Sequence, residues 1–407
     1  MVQSVLQLKC SCNNYPWGKQ GWDSIAATLC SQTPGTDFKV DVNKTYSEMW
    51  MGTYPNLPSY VLESGESLQD VINAYPDQLL GNAVFQKFGL NLPFLPKILS
   101  IAKALPLQLH PNRTLASELH RRSPEQFTDP NHKPEIAIAL GTFEAFVGWK
   151  PLEDVDELLQ LEPLKQFMPP ARKPAFDDQM LKGVCELMLK ADEETVARVG
   201  QRLQELPKAM FKEKHRYIQE MIPRLWSQYD KTDNGILVSV ILMNYMKLSA
   251  GEGIYIPADS IHAYLSGDII ECMASSNNVL STGFCPRADR DNIDTFLETL
   301  SFITHSVDEA RLEPQIFKRS RSGKTKVYEP TISEFSLLAT ELSSEESDFI
   351  EKLDGPSIMI VTRGRGIMKT GEYDYELKEG FVFCIGAGVA TEYIAVSDLQ
   401  LFRAYTE

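Results

Sequence analysis

Ser357-Ile-Met-Ile-Val-Thr-Arg-Gly-Arg-Gly-Ile-Met-Lys-Thr-Gly371, followed a few residues later by Gly380-Phe-Val-Phe-Cys-Ile385, decides how this chain is read. Apolar runs of about five residues, each closed by glycine, are the pattern of short antiparallel strands, and several in series predict a small barrel or sandwich. Sheet character of this kind begins at Gly253-Ile-Tyr-Ile-Pro257 and persists to the end. Upstream the period changes. Val196, Val199, Leu203 and Leu206 recur at helical spacing behind a cap at Asp192. Tyr217, Ile218, Met221, Ile222, Leu225, Trp226 and Tyr229 form a second stripe, which Pro223 interrupts. Residues 151 to about 250 therefore read as a helical block, including Ile236 to Leu248, whose apolar run is too long for a typical strand. The first 150 residues return to short β-rich runs between turns, such as Tyr15-Pro-Trp-Gly18 and Glu135-Ile-Ala-Ile-Ala-Leu140 before Gly141.

The 407 residues suffice for two or three domains. With 43% hydrophobic and 23% charged residues, the chain is ordinary globular material, not disordered, collagenous or coiled-coil. Fifty-five acidic against 40 basic residues give a formal charge of −15, a poor match to nucleic acid or an anionic membrane. An anionic substrate would then depend on a few nearby cations. No stretch approaches the roughly 20 apolar residues that span a bilayer, and the start lacks the basic and apolar regions of a secretory signal. Seven scattered cysteines read as reduced thiols, since Cys10 and Cys12 have no second pair to complete a thiolate zinc site. The expectation is a soluble cytoplasmic protein.

Chemistry concentrates at three places. In Leu105-Pro-Leu-Gln-Leu-His-Pro111, Gln108 and His110 stand two apart, so on a strand they face one side. Glu135 opens an apolar strand after Lys133-Pro134, and His262 follows Ile256-Pro257. Two imidazoles with oxygen donors suit zinc and leave room for an open position. By spacing alone, a hydrogen-bonded core histidine is as good a reading of either ring, because the residues lie on separate segments.

These segments, with Tyr15-Pro-Trp-Gly18, Glu48-Met-Trp-Met-Gly-Thr53, Leu92-Pro-Phe-Leu95 with Lys97, His132-Lys-Pro-Glu135 and Gly251 to Asn278, resemble the type I mannose-6-phosphate isomerases, zinc-dependent phosphomannose isomerases of fungi and animals. The motifs keep the family's order over essentially the whole length. The resemblance implies a mainly β fold with two cupin-like (jelly-roll) barrels and an inserted helical domain. The catalytic barrel would comprise residues 1–150 plus 251–320, the insert 151–250 and the C-terminal barrel 321–407. It implies one zinc ion per chain on Gln108, His110, Glu135 and His262. The implied reaction interconverts mannose 6-phosphate and fructose 6-phosphate through an enediol, supplying GDP-mannose and protein glycosylation. Lys97, Lys133 and Arg287 match substrate-binding positions, and Glu48, Tyr264 and Glu271 match proton-handling or orienting positions. As bland alternatives, Lys97 reads as a snorkelling lysine and Glu48 or Glu271 as structural acceptors. The expected partner is a small sugar phosphate, with no nucleic acid or membrane, and the chain is expected to be a monomer.

The departures from the pattern cluster. Where the family reads Ser-Ser-Asp-Asn-Val-Val-Arg-Ala-Gly-Leu-Thr-Pro-Lys, this chain has Ser275-Ser-Asn-Asn-Val-Leu-Ser-Thr-Gly-Phe-Cys-Pro-Arg287. The arginine is Ser281, which supplies neither charge nor reach. The aspartate is Asn277, the threonine Cys285 and the lysine Arg287, which keeps a charge for phosphate. Elsewhere a serine is Pro106 and a histidine is Tyr54. The metal set is intact beside an eroded substrate set. An isomerase is therefore weighed against a divergent paralogue of reduced activity, another sugar substrate or a binding-only role. An iron-dependent cupin oxygenase is a third reading, disfavoured by Gln108.

Overall fold

The computed structural model describes residues 3–168, 175–371 and 373–407. Its first barrel is organised around one long strand, His262–Ala274, which changes partners midway. From His262 to Ser266 it pairs with Phe143–Trp149, and from Gly267 onward with Phe94–Ile101. The change occurs at Gly267, where φ is +118° and a Cβ would lie 2.4 Å from the Thr142 carbonyl oxygen. Only glycine fits this corner, and such a corner lets one strand serve both walls of a closed sheet. Glu135–Ala139 pairs with the second half of the long strand, and Gln108 in Leu107–Leu109 pairs with His262 itself.

The helical block is present, with Asp192 capping Glu193–Glu205 through Thr195 N. Pro223 lies inside the helix Tyr217–Trp226. Proline offers no N–H to the carbonyl four residues back. That carbonyl, on Gln219, accepts instead from the Gln204 amide at 2.9 Å, which keeps the interruption satisfied. One expectation fails: Ile236 to Leu248 is not a single helix. The helix Asn234–Leu242 ends there, and Met243–Leu248 is a strand paired with Phe143–Trp149. All nine helical residues are buried, so the run has no polar face to betray its end. The stop is tertiary: the buried Lys150 ammonium donates to the carbonyls of Val240 and Met243.

In the second barrel, an eight-stranded and a four-stranded sheet enclose an apolar interior that includes Leu338, Met359, Phe383 and Tyr393. Its larger sheet also takes in a strand from the start of the chain. Val5–Lys9 pairs with Val382–Ile385, hundreds of residues away, and with Tyr60–Val61. Val5 enters the second interior while Leu6 and Leu8 enter the core shared by the two barrels. That shared core joins Ile136, Ile138 and Ile270 of the first barrel to Ile358, Ile360 and Phe402 of the second. Among the described residues, no helix is long and apolar enough to cross a membrane.

Candidate metal centre

Gln108, His110, Glu135 and His262 come from three strands and the residue that follows one of them, and the fold brings all four together. Ligand atoms of His110, Glu135 and His262 lie within 4.8 Å of one another, and the two rings are 5.0 Å apart. Gln108 Nε2 lies 3.3 Å from His262 Nε2, and half a turn of its amide presents the oxygen there instead. The turn before His262 sets this convergence: Asp259, at φ 63°, donates its N–H to the His110 carbonyl and accepts from Asn112 N and Nδ2 at 2.7 Å each. Sequence reasoning missed Asp259, although an Asp in a turn just before the histidine was the available signal.

The tautomers follow from the partners. His110 Nδ1 donates to the Asn278 carbonyl at 2.8 Å and His262 Nδ1 to the Ser260 carbonyl at 3.1 Å. Burial lowers the pKa of both imidazoles, assisted by Lys133 at His110 and by His110 at His262, which falls to about 4. Neutral rings with Nδ1 protonated turn bare Nε2 lone pairs inward. His110 Nε2 is buried without a hydrogen-bond partner, 3.2 Å from Glu135 Oε1, and His262 Nε2 lies 3.7 Å from Glu135 Oε2. Acceptors facing acceptors in a buried pocket call for a cation between them. Two imidazoles, a carboxylate and an amide fit zinc with a position open to substrate.

Asn278 is the second residue the sequence reading missed. It is 1% exposed, and its Nδ2 donates to the carbonyls of Asp129 and Asn131 at 2.7 and 2.8 Å, holding the carbonyl that orients His110. Signals for such a role were lacking, because the group in contact with the histidine is backbone.

Around this core lie the expected pocket residues. Lys133 Nζ is 3.0 Å from Glu135 Oε1 and Tyr264 donates to Glu135 Oε2 at 3.3 Å. Burial would raise the Glu135 pKa, but Lys133 and the imidazoles hold it well below the usual carboxylate range. Burial, then Glu135 and Glu271, push the Tyr264 phenol well up. Lys97 is 3.5 Å from Glu271 Oε2 and 4.6 Å above the Trp50 ring. Burial opposes the Lys97 charge, yet Glu48, Glu271 and Glu135 raise its pKa overall. Glu271 is pushed up to about 8 by burial and by the Glu135 charge, against the pull of Lys97 and Lys133. Glu48 accepts from Trp50 Nε1 at 2.7 Å.

Ser281 pairs in register with Gln108 across Leu280–Gly283, so a hydroxyl faces the centre from that strand. Arg287 is not brought to Lys97 and Lys133. Its guanidinium contacts Thr232 Oγ1 and Glu193 Oε1, each at 3.0 Å, on the helical side and exposed. A cavity of about 810 Å³ is walled by Tyr54, Arg113, Asp129, Asn131, Asn277 and Glu334. Two departures from the family pattern, Tyr54 and Asn277, thus share one wall.

Comparison with known proteins agrees with this geometry. A phosphomannose isomerase type I catalytic-domain model matches residues 5–152, and its C-terminal counterpart matches 327–372. The chain is 34% identical over 420 residues to a mannose-6-phosphate isomerase of Schizosaccharomyces pombe, covering 99% of this chain and 100% of that protein. To that of Saccharomyces cerevisiae it is 34% identical over 431 residues, covering 100% of both. Among solved structures it is similar to a zinc-bound mannose 6-phosphate isomerase at TM-score 0.82 and 25% identity, covering 100% of both chains. The apo form from Salmonella typhimurium gives the same values.

Proposed function

From the premise that the chain belongs to the type I phosphomannose isomerase family, we propose how its own residues perform the reaction. The activity is the aldose–ketose isomerisation of mannose 6-phosphate and fructose 6-phosphate, with zinc as cofactor. The observation that carries the reading is the convergence of ligand atoms of His110, Glu135 and His262 on one point, with His110 Nε2 lacking any partner and Gln108 beside them. When bound there, zinc withdraws charge from the substrate's hydroxyl and carbonyl oxygens.

The remaining work is proton transfer between C2 and C1. Glu271 is the carrier: with its pKa near 8 it gives and takes a proton close to neutrality, where general acid–base catalysis is most effective. Lys97, kept cationic by its carboxylate neighbours, faces the enediolate charge and restrains Glu271 at once. Lys133 and Tyr264 fix the two Glu135 oxygens, which leaves the carboxylate oriented before substrate arrives. Glu48, anchored by Trp50, orients a sugar hydroxyl. Arg287, the cation that the family resemblance assigns to the phosphate, rests exposed on Thr232 and Glu193 and would have to exchange Glu193 for the phosphate to fill that role. An exposed ion pair is worth at most about 1 kcal/mol, whereas a charged bond to an anion is worth about 1.5–3 kcal/mol.

We assign the chain to a reducing cytoplasm, in keeping with seven unpaired cysteines, and read it as a monomer. The catalytic unit is the first barrel with the helical insert, and the second barrel supports it. A coupled fructose 6-phosphate assay with metal analysis on the same preparation tests the reading. Turnover that requires stoichiometric zinc supports it, and no turnover above a zinc-stripped control overturns it.

A further inference from the structure

The second barrel holds an ionised group that the isomerase reaction does not use. Arg403, on Leu399–Tyr405, is 1% exposed, and its register partners are Leu338 and Met359, with Phe383 beyond. Its Nε donates to Ser357 Oγ at 2.8 Å, and Nη1 donates to Thr391 Oγ1 at 3.1 Å and Tyr393 OH at 3.2 Å. Nη2 is buried with no partner, and no carboxylate pairs with the guanidinium among the described residues. Asp348 faces the same interior opposite Tyr393, but its oxygens accept from Ser320 Oγ, Ser322 N and Thr325 Oγ1.

Counting protons shows what is lacking. A guanidinium has five N–H groups; here three are placed and the two on Nη2 are not. Thr391 and Tyr393 spend their oxygens as acceptors, and neither hydroxyl proton reaches an acceptor among the described residues. Ser357 differs, since its proton goes to the Ile385 carbonyl. Four donor hydrogens, two on Nη2 and one on each hydroxyl that Nη1 contacts, therefore belong to three fully buried side chains that offer them no acceptor. A water molecule leaves that imbalance unchanged, because it accepts two bonds and brings two more protons into an interior short of acceptors. A monatomic anion at Nη2 accepts from it and from any hydroxyl within reach, brings no proton and offsets the buried charge. We infer that the second barrel binds a halide ion, chloride in the cell, between Arg403 Nη2, Thr391 and Tyr393. Leu338 and Met359, the register partners of Arg403, and Phe383 beyond them are apolar and give the oxygens of a sugar phosphate or other oxyanion no donor, which favours a single atom.

The test uses the full-length zinc-loaded protein in sodium chloride, bromide or gluconate at one ionic strength. The expected result is a saturable rise in melting temperature with either halide and none with gluconate, together with an anomalous bromide peak beside Arg403 Nη2 in crystals. Arg403→Met should remove the halide dependence and leave turnover unchanged. If that variant fails to fold, Tyr393→Phe removes one donor and should weaken the halide dependence about tenfold. Equal melting in chloride and gluconate, or a peak at Nη2 that carries no bromide signal, overturns the proposal.

Discussion

The two barrels share an architecture and differ in the sign of what their interiors lack. The first gathers Glu135, Glu271, Glu48 and the inward-facing Nε2 atoms of two imidazoles, of which His110 Nε2 has no partner even with Lys97 and Lys133 beside the carboxylates. The second is apolar except for groups such as Arg403, Thr391 and Tyr393, whose unplaced protons are an excess of donors. An interior short of donors recruits a cation, and one short of acceptors recruits an anion, because neither imbalance is tolerated away from water. Chemistry lives in the first barrel because a doubly charged metal there polarises substrate oxygens as well as correcting the imbalance.

Breaking the acceptor set should have the largest effect. His110→Ala or His262→Ala removes a nitrogen donor that oxygen ligands replace poorly, so bound zinc and turnover should fall at least about a hundredfold while the far-ultraviolet spectrum is retained. Full zinc occupancy in both variants would dissolve the contrast between the barrels. Cutting the support behind His110 is milder. Asn278→Ala frees the carbonyl loop from Asp129 and Asn131, and chelator competition should show zinc affinity reduced about 10–100-fold. An affinity within twofold of the parent would reduce Asn278 to loop structure.

Outside both interiors, Arg287→Ala should raise KM about tenfold or more with kcat little changed, from the worth of a charged bond to phosphate. An unaltered KM places the anion elsewhere. Adding donors to the acceptor-rich side tests its completeness: Ser281→Arg with Asn277→Asp should raise kcat several-fold by restoring a cation opposite Gln108. A double variant no faster than the parent indicates a pocket rebuilt around serine.

The last comparison concerns pH. The Glu271 pKa is about 8 in the fold and about 4.3 in an unfolded chain. The folded protein holds this proton more tightly, so the stabilisation is fully present below the unfolded value and is lost as pH rises to about 8. Urea unfolding of zinc-stripped protein should show stability declining across that window, and Glu271→Gln should flatten the slope. An equal slope in the variant assigns the titration to another group.

Much of this was legible before any coordinates, because local rules suffice where a residue's own neighbours decide. Glycine-punctuated strands predicted the second barrel, and the Asp192 cap and 3.6-residue stripes predicted the helices. Residue types in matching motifs pointed to the metal set, and the unlike pocket residues at 54 and 277 were visible as substitutions. What remained hidden depended on partners distant in sequence. The helix Asn234–Leu242 stops at a lysine some ninety residues upstream, which a run buried on every side cannot reveal. Val5–Lys9 reads as any edge strand until Val382–Ile385 is beside it. Arg287 carries a charge suited to phosphate, but its resting partner Glu193 belongs to a helix with which it shares no local pattern. Composition and spacing thus determined the elements and the residue types available for chemistry. Tertiary structure alone decided which protons and lone pairs were left over, since that balance depends on every group that packing brings within about 3 Å.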